Sequence, residues 1–159
     1  FTGGGRLDLL VEECDSVDIK VLARLKAREL GIPVVMDTSD RGMIDVERFD
    51  LEPHRPLLHG LLEDLDLTLV ERPMTNLEKL PFMAKIVGLE TISDRMRASI
   101  PELGKTIVTW PQLASGVALG GAVAGDLARR ILLGEPVASG RSFADVMSRE
   151  FDQVATPTR

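Results

Sequence analysis

The order of apolar and polar residues predicts a strand, a helix and a second strand at the start of the chain. Leu7–Cys14 is a short apolar run that ends in carboxylates, as is typical of a mostly buried parallel strand. A stripe at helical spacing follows it, formed by Val17, Val21, Leu22 and Leu25. Gly31 and Pro33 end this helix, and Ile32–Asp37 is the next apolar run. This order predicts a right-handed βαβ unit with two parallel strands.

The rest of the chain continues the alternation less regularly. Met43–Phe49 alternates apolar with polar residues and predicts a strand that is exposed on one face. Helices are predicted over Leu57–Leu65, Asn76–Val87 and Ser93–Leu103, with breaks at Pro81, Gly88 and Pro101, and an edge strand is predicted over Ser142–Val146. We therefore expect an α/β fold in which helices flank a mostly parallel sheet.

Gln112–Leu133 is the most unusual segment, because no charged residue lies between Leu113 and Gly125. This uncharged stretch is shorter than the roughly 20 residues that cross a membrane, and charges follow at Asp126, Arg129 and Arg130. Four glycines, at positions 116, 120, 121 and 125, are predicted to share one sector of the helix. Such a sector favours close packing on the sheet or on a partner subunit.

Composition and charge exclude several classes of protein. The chain has 159 residues, of which 44% are hydrophobic and 28% are charged, too apolar for intrinsic disorder. With 19 Lys and Arg against 25 Asp and Glu, its net charge of −6 offers no basic stripe for nucleic acid. The single cysteine, Cys14, excludes an internal disulfide framework and a four-thiolate zinc site. We expect a cytoplasmic protein with no nucleic-acid or membrane partner.

Polar residues follow both predicted parallel strands, at the sheet edge where α/β proteins bind ligands. Asp15 follows the first strand, and Asp37, Asp40 and Arg41 follow the second. Carboxylates at one edge suit Mg²⁺, which takes one or two of them together with substrate phosphates, and Arg41 offers a cation for an anion. The structural alternative is that Asp15 and Ser16 cap a helix while Asp37 and Asp40 shape a turn.

The cysteine and the two histidines give weaker evidence of a functional site. A helix N-terminus near Cys14 would lower the pKa of its thiol, yet no histidine lies close in sequence, which favours a small buried thiol. His54 and His59 are separated by Pro56 and do not share a regular helix face, so a metal pair is not expected.

Two stretches of the chain resemble the ThiF/MoeB/HesA family, the relatives of ubiquitin-activating enzymes. In that family a strand ends in Asp-Asn, an Arg follows five residues after the Asp, and a helix leads to a Gly-Ile-Pro-Val-Val strand. Asp15 matches the Asp, Ser16 replaces the Asn, Lys20 stands in place of the Arg, and Gly31–Val35 matches the strand. The run from Trp110 to Gly134 resembles the family's late glycine-rich helix. The combination is most similar to the branch that is fused to a nitroreductase-like domain.

The resemblance implies an E1-like, Rossmann-like domain that is incomplete on its N-terminal side. Residues 1–152 would be its C-terminal portion, with 1–6 as a fragment end or linker and 153–159 as a loose tail. It implies ATP-dependent adenylylation of the C-terminal carboxylate of a ubiquitin-like or sulfur-carrier protein, as in molybdopterin or thiamine biosynthesis, by a homodimer. Asp15 would be the catalytic, Mg²⁺-holding residue, and the ATP-binding set would be Ser16, Lys20, Asp37, Asp40 and Arg41.

Two other functions remain open at this stage. Substitution of the family's Asn by Ser16 and of its Arg by Lys20 suits a degenerate module that binds nucleotide or a partner, or only dimerises. A dinucleotide-binding oxidoreductase is the weakest hypothesis, because no glycine-rich phosphate loop precedes the first helix. By the resemblance, this segment alone lacks the upstream ATP-binding groups and is expected to be inactive.

Overall fold

The computed structural model describes residues 5, 7–108 and 111–145, which form an α/β fold with a four-stranded mixed sheet. The regular elements are β1 (Leu10–Val11), α1 (Val17–Leu30), β2 (Val34–Thr38), β3 (Met43–Glu47), α2 (Asn76–Val87), α3 (Asp94–Ser99), α4 (Ala114–Leu132) and β4 (Gly140–Phe143). Short 3₁₀ turns lie at Leu57–Gly60, Leu67–Glu71 and Ile100–Glu102. The strand order is β1-β2-β3-β4, so β1 and β4 form the edges of the described sheet.

The predicted βαβ unit is confirmed. β1 and β2 pair in parallel, and α1 connects them. Gly31 ends α1 in the left-handed conformation, with a φ of 64°, which is the cap that its position predicted. β1 itself is only two residues long, shorter than the apolar run that predicted it.

The described sheet is mixed, so the prediction of a mostly parallel sheet is wrong. β2 pairs with β3 in antiparallel register, from Val34 opposite Glu47 to Thr38 opposite Met43, and β4 pairs with β3 in the same sense. Only four residues separate β2 from β3, and Gly42 in that turn has a φ of 53°. A parallel pair needs a crossover of about a dozen residues, so this connection dictates a hairpin.

Alternate residues of the strands pack into two separate hydrophobic cores, because successive side chains of a strand point to opposite faces of the sheet. Val34 and Met36 pack with α1 and the segment that follows β3, whereas Val35 and Ile44 pack with α4. All five residues of β3 are buried. The prediction that β3 is exposed on one face is therefore wrong, because its polar residues Asp45 and Glu47 are paired inside the protein.

Several helix predictions hold and one does not. α2 begins at a capping box between Thr75 and Glu78, ends at Gly88, and continues through Pro81 without a break. The predicted helix over 57–65 is replaced by turns, in which Leu58 and His59 adopt left-handed backbone conformations. No helix among the described residues has the length and hydropathy that a membrane crossing requires. The predicted loose tail, 153–159, lies outside the described residues.

The glycines of α4 do not share one sector as predicted. Gly116 and Gly120 face the sheet, where a Cβ atom would lie 2.4 Å from the Ser39 carbonyl oxygen and 2.0 Å from Asp37 Oδ2 respectively. Gly121 and Gly125 have nothing within 4 Å of an added Cβ. Gly116 and Gly120 therefore allow α4 to pack closely on β2, whereas Gly121 and Gly125 lie on the open face of the helix.

Gly120 and Gly121 provide a matched test of this packing. We expect Gly120→Ala to lower the free energy of unfolding by about 1–3 kcal/mol, because the new methyl group overlaps the Asp37 carboxylate. Gly121→Ala should raise it by about 0.5–1 kcal/mol, because alanine is the better helix former and meets no neighbour. Urea denaturation of both variants measures the difference, and equal effects would contradict the assigned packing.

Candidate functional site

A cavity of about 190 Å³ lies where the parallel strands β1 and β2 end. The inner face of α2 forms one wall through Met83, Ile86 and Val87. Its polar lining includes the titratable residues Glu13, Cys14, Asp15, Lys20, Asp37 and Asp40. We call this space the strand-end cavity. It includes four of the six predicted site residues, and Ser16 and Arg41 are not among its lining residues.

Asp15 is the solvent-exposed carboxylate in this cavity that remains uncommitted, whereas Asp37 is partly buried. It lies in the loop between β1 and α1, is exposed, and makes no hydrogen bond or ion pair with any described residue. Ser16 next to it is the N-cap residue of α1, but its hydroxyl contacts the Asp18 carboxylate and caps no backbone N–H group. The structural alternative, in which both residues cap the helix, therefore does not account for Asp15.

Lys20 reaches the cavity from the first turns of α1, but its charge is already shared. Its Nζ lies 2.8 Å from Glu12 Oε2 and 3.0 Å from Glu12 Oε1. Glu12 also accepts a hydrogen bond from Arg24, which is fully buried and donates its Nε–H to Glu47 Oε2 at 2.7 Å. Burial raises the pKa of Glu12, yet the Arg24 guanidinium and these hydrogen bonds bring it down to about 2.

This ion network joins Glu12, Arg24 and Glu47, none of which is among the predicted site residues. The signal was available for Arg24, since it lies three residues after Val21 and seven after Val17 on the predicted stripe. The structure places Val17, Val21, Arg24 and Ala27 on the buried face of α1, while Leu22 is partly exposed. A cation on the buried face of a helix requires buried carboxylates, which the strand ends supply.

Asp37 and Glu13 form a second acidic feature of the cavity wall. Glu13 Oε1 accepts a hydrogen bond from the Asp37 N–H at 3.0 Å. Burial raises the pKa of Asp37, whose Oδ1 is buried without a hydrogen-bond partner among the described residues. The pKa of Glu13 is raised by burial and by the neighbouring Asp37 carboxylate. Both carboxylates therefore have a weaker tendency to ionise than free side chains.

Asp40 and Arg41 serve largely structural roles. Asp40 Oδ2 accepts a hydrogen bond from the Ser93 N–H at 2.8 Å, which ties the hairpin turn to the start of α3. Arg41 has a φ of 57°, and its side chain donates to Asp145 and to the Thr91 carbonyl oxygen instead of entering the strand-end cavity. Arg41 also lies over the Phe143 ring, 4.9 Å from its centroid. The turn-shaping alternative, which was stated for Asp37 and Asp40, therefore accounts for Asp40, and the side chain of Arg41 is engaged within the protein instead of offering its cation to the cavity.

Cys14 has the character of a thiol and not of a thiolate. Burial and the nearby Glu12 carboxylate raise its pKa, which is opposite to the lowering that a helix N-terminus would give. The residue is half-buried, and its backbone N–H donates to Glu12 Oε1 at 2.8 Å. The sequence favoured a small buried thiol, and the structure places Cys14 at intermediate burial.

A preformed metal site is absent from the part of the chain that the structure describes, where no three His, Cys, Asp or Glu residues are arranged to hold an ion. Mg²⁺ commonly binds through one or two carboxylates, with water and substrate phosphates completing its octahedron. Asp15 fits that role, because its carboxylate is exposed, lines the cavity and has no partner among the described residues.

The comparisons with known proteins identify a longer relative but no known activity. No protein-family model and no solved structure matches the chain. The chain is 45% identical over 155 residues to an uncharacterized protein, MT1398, of Mycobacterium tuberculosis (strain CDC 1551 / Oshkosh). The match covers 96% of this chain and 22% of that protein. The chain thus spans about a fifth of the length of the curated relative that it matches.

The buried ion network leads to a prediction about the free energy of unfolding and its dependence on pH. Arg24→Met should lower the free energy of unfolding by about 3–5 kcal/mol at pH 7, because it leaves buried carboxylates without their central cation. Glu12 has a lowered pKa in the folded protein, so its contribution is present above its unfolded pKa and is lost as the pH falls toward about 2.

The loss caused by Arg24→Met should therefore be smaller at pH 4 than at pH 7, because unpaired buried carboxylates become protonated more readily. Urea denaturation at both pH values measures it. Arg28→Met is the matched control on the same helix, since Arg28 is half-buried and its side chain makes, among the described residues, a single 3.4 Å hydrogen bond to the Arg55 carbonyl oxygen. A loss at Arg28 as large as that at Arg24 would contradict a specific role for the network.

Proposed function

We propose that this chain forms the metal-side part of an E1-like, ATP-dependent adenylyltransferase. The substrate would be the C-terminal carboxylate of a ubiquitin-like or sulfur-carrier protein. The observation that carries the proposal is the strand-end cavity at the carboxyl ends of two parallel strands, with the uncommitted Asp15 carboxylate in its lining. The resemblance to the ThiF/MoeB/HesA family supplies the reaction class, and Asp15 is the residue that matches the family's metal-side acid.

The reaction requires control of negative charge. A carboxylate oxygen of the carrier attacks the α-phosphorus of ATP, the bond from that phosphorus to the bridging oxygen breaks, and pyrophosphate leaves. When bound, Mg²⁺ supplies positive charge against the phosphate oxygens. Asp15 would hold the ion, and Lys20 would add a cation whose position is fixed by Glu12. Glu13 and Asp37 add negative character to the same wall, which favours a nucleotide that arrives with its cation.

The size of the cavity supports a partial site. At about 190 Å³ it is smaller than the roughly 300–1,000 Å³ that enclose a typical small ligand, so it suits one portion of a nucleotide. We propose that segments of a longer protein supply the remaining walls and phosphate contacts. The same protein would contain the fused nitroreductase-like domain, act as a homodimer, and belong to a molybdopterin- or thiamine-type pathway in the cytoplasm.

Asp15 provides the test of this function. In the full-length protein that contains this segment, we expect Asp15→Asn to reduce carrier-dependent ATP–pyrophosphate exchange by about a hundredfold or more, because a neutral amide holds Mg²⁺ poorly. Chelation of Mg²⁺ should abolish exchange in the unaltered protein.

The matched control for that assay is Asp8→Asn, the same substitution at an exposed position that does not line the cavity. Exchange should be retained in this variant. Exchange that survives in Asp15→Asn, or that never occurs with any carrier ending in Gly-Gly, would contradict the proposal.

The alternative proposal is a degenerate module that binds nucleotide or a partner, or only dimerises. It is favoured by the intramolecular engagement of Lys20 with Glu12 and of Ser16 with Asp18. The uncharged outer face of α4, around Val117 and Gly121, is the surface that a dimerising module would use. ATP binding without exchange, together with loss of dimers in a Gly121→Leu variant that stays folded, would favour this module.

A further inference from the structure

A second and larger cavity lies on the other side of α2. Its volume is about 730 Å³, within the range of small-ligand sites. The strand-end cavity is lined by Met83 and Ile86 of α2, whereas the second cavity is lined by Ala84, Lys85 and Gly88. The two cavities share no lining residue. The second cavity is therefore a separate place to bind a molecule, unconnected to the proposed adenylylation site.

A buried aspartate organises the polar wall of the second cavity. Asp45 is 1% exposed, and its Oδ1 lies 2.6 Å from His59 Nε2. Its Oδ2 accepts hydrogen bonds from Arg141, through Nε at 3.0 Å and through Nη2. Burial raises the pKa of Asp45, but these hydrogen bonds outweigh it and lower the pKa below its usual value. Arg141 Nη1 has no hydrogen-bond partner among the described residues and is available to a ligand.

His59 is held in an unusual backbone conformation beside this aspartate. Leu58 and His59 have φ values of 47° and 60°, in the left-handed region that non-glycine residues adopt only at an energetic cost. The Leu58 N–H donates to Glu47 Oε1 at 2.6 Å, which helps to hold the turn. With Nε2–H assigned as the donor to Asp45, His59 Nδ1 accepts from Arg55 Nε at 3.2 Å. The strained turn thus fixes the Arg55 guanidinium at the wall of the cavity.

The remaining partners of the cavity's cations are exposed and exchangeable. Arg55 pairs with Glu52 and Lys85 pairs with Asp64, and these carboxylates are 45% and 65% exposed. Exposed ion pairs are screened by water and contribute little to stability, so an incoming anion can compete for both cations. The other side of the cavity is apolar and includes Phe143.

We propose that the second cavity binds a small organic anion, a carboxylate or phosphate group attached to an apolar body. Arg55 and Lys85 can exchange their exposed carboxylate partners for the oxygen atoms of the ligand, and Arg141 adds the Nη1 group that Asp45 does not use, because charged N–H donors form strong hydrogen bonds with oxyanions. Leu61 and Phe143 contact the apolar part. Glu90 is the carboxylate among the lining residues. Its negative charge repels anions, so it disfavours ligands whose negative charge exceeds what the three cations can balance.

Binding of simple probes to the full chain tests this site. Benzoate, phenyl phosphate and the neutral benzyl alcohol are titrated separately, and the amide and His59 ring signals are followed by NMR. We expect saturable binding of at least one anion, with a Kd on the order of 1 mM for so small a ligand. Arg55→Gln and Lys85→Gln should each weaken it by about tenfold. The comparison of benzoate with phenyl phosphate identifies the preferred oxyanion.

Lys79→Gln is the matched control, because Lys79 is on the same helix and does not line the cavity. It should bind the anions like the unaltered protein, and Glu90→Gln should bind them at least as tightly. Lys85 is partly exposed, so its variant should keep the fold even if Arg55→Gln does not. Equal binding of benzyl alcohol, no saturable binding of either anion, or equal losses in Lys79→Gln and Lys85→Gln would each overturn the proposal.

Discussion

The fully buried guanidinium of Arg24 is the interaction on which the described fold depends. It joins Glu12, directly after β1, to Glu47 at the end of β3, and it does so from the middle of α1. Glu47 in turn accepts the N–H of Leu58 and so holds the turn beside the second cavity. A buried charge without partners is strongly unfavourable, so each of these carboxylates must occupy its position for the helix to pack. One residue thus couples the crossover helix, two strands and a turn.

A second constraint acts on the opposite face of the sheet, where α4 approaches β2. Gly116 and Gly120 leave room for the Ser39 carbonyl oxygen and the Asp37 carboxylate. This close approach leaves Oδ1 of Asp37 buried without a hydrogen-bond partner among the described residues. Polar groups in that condition are uncommon in folded proteins and often mark places where function opposes stability. Asp37 lies in the wall of the strand-end cavity, which agrees with that interpretation.

The two cavities differ in electrostatic character although a single helix separates them. The strand-end cavity collects carboxylates, and its lysine is neutralised by Glu12, so it suits a cation together with phosphates. The second cavity collects three cations, of which Arg55 and Lys85 are held only by exposed carboxylates, so it suits an anion. The different wall residues of α2 allow both environments to exist on one element. Each proposed ligand follows from the charge balance of its own cavity.

The sequence by itself determined the local structure at the end of α1 and at both ends of α2. Gly31, Gly88 and the Thr75–Glu78 capping box act through bonds within a few residues, so their signals are complete in the sequence. It also indicated that Asp15 would lie at the end of a strand. Tertiary structure decided which polar residues remained free, because Lys20 and Arg41 found partners that lie 8 and 104 positions away along the chain. Hydrophobic periodicity locates faces and elements, whereas the pairing of buried charges depends on contacts between elements that only the folded chain brings together.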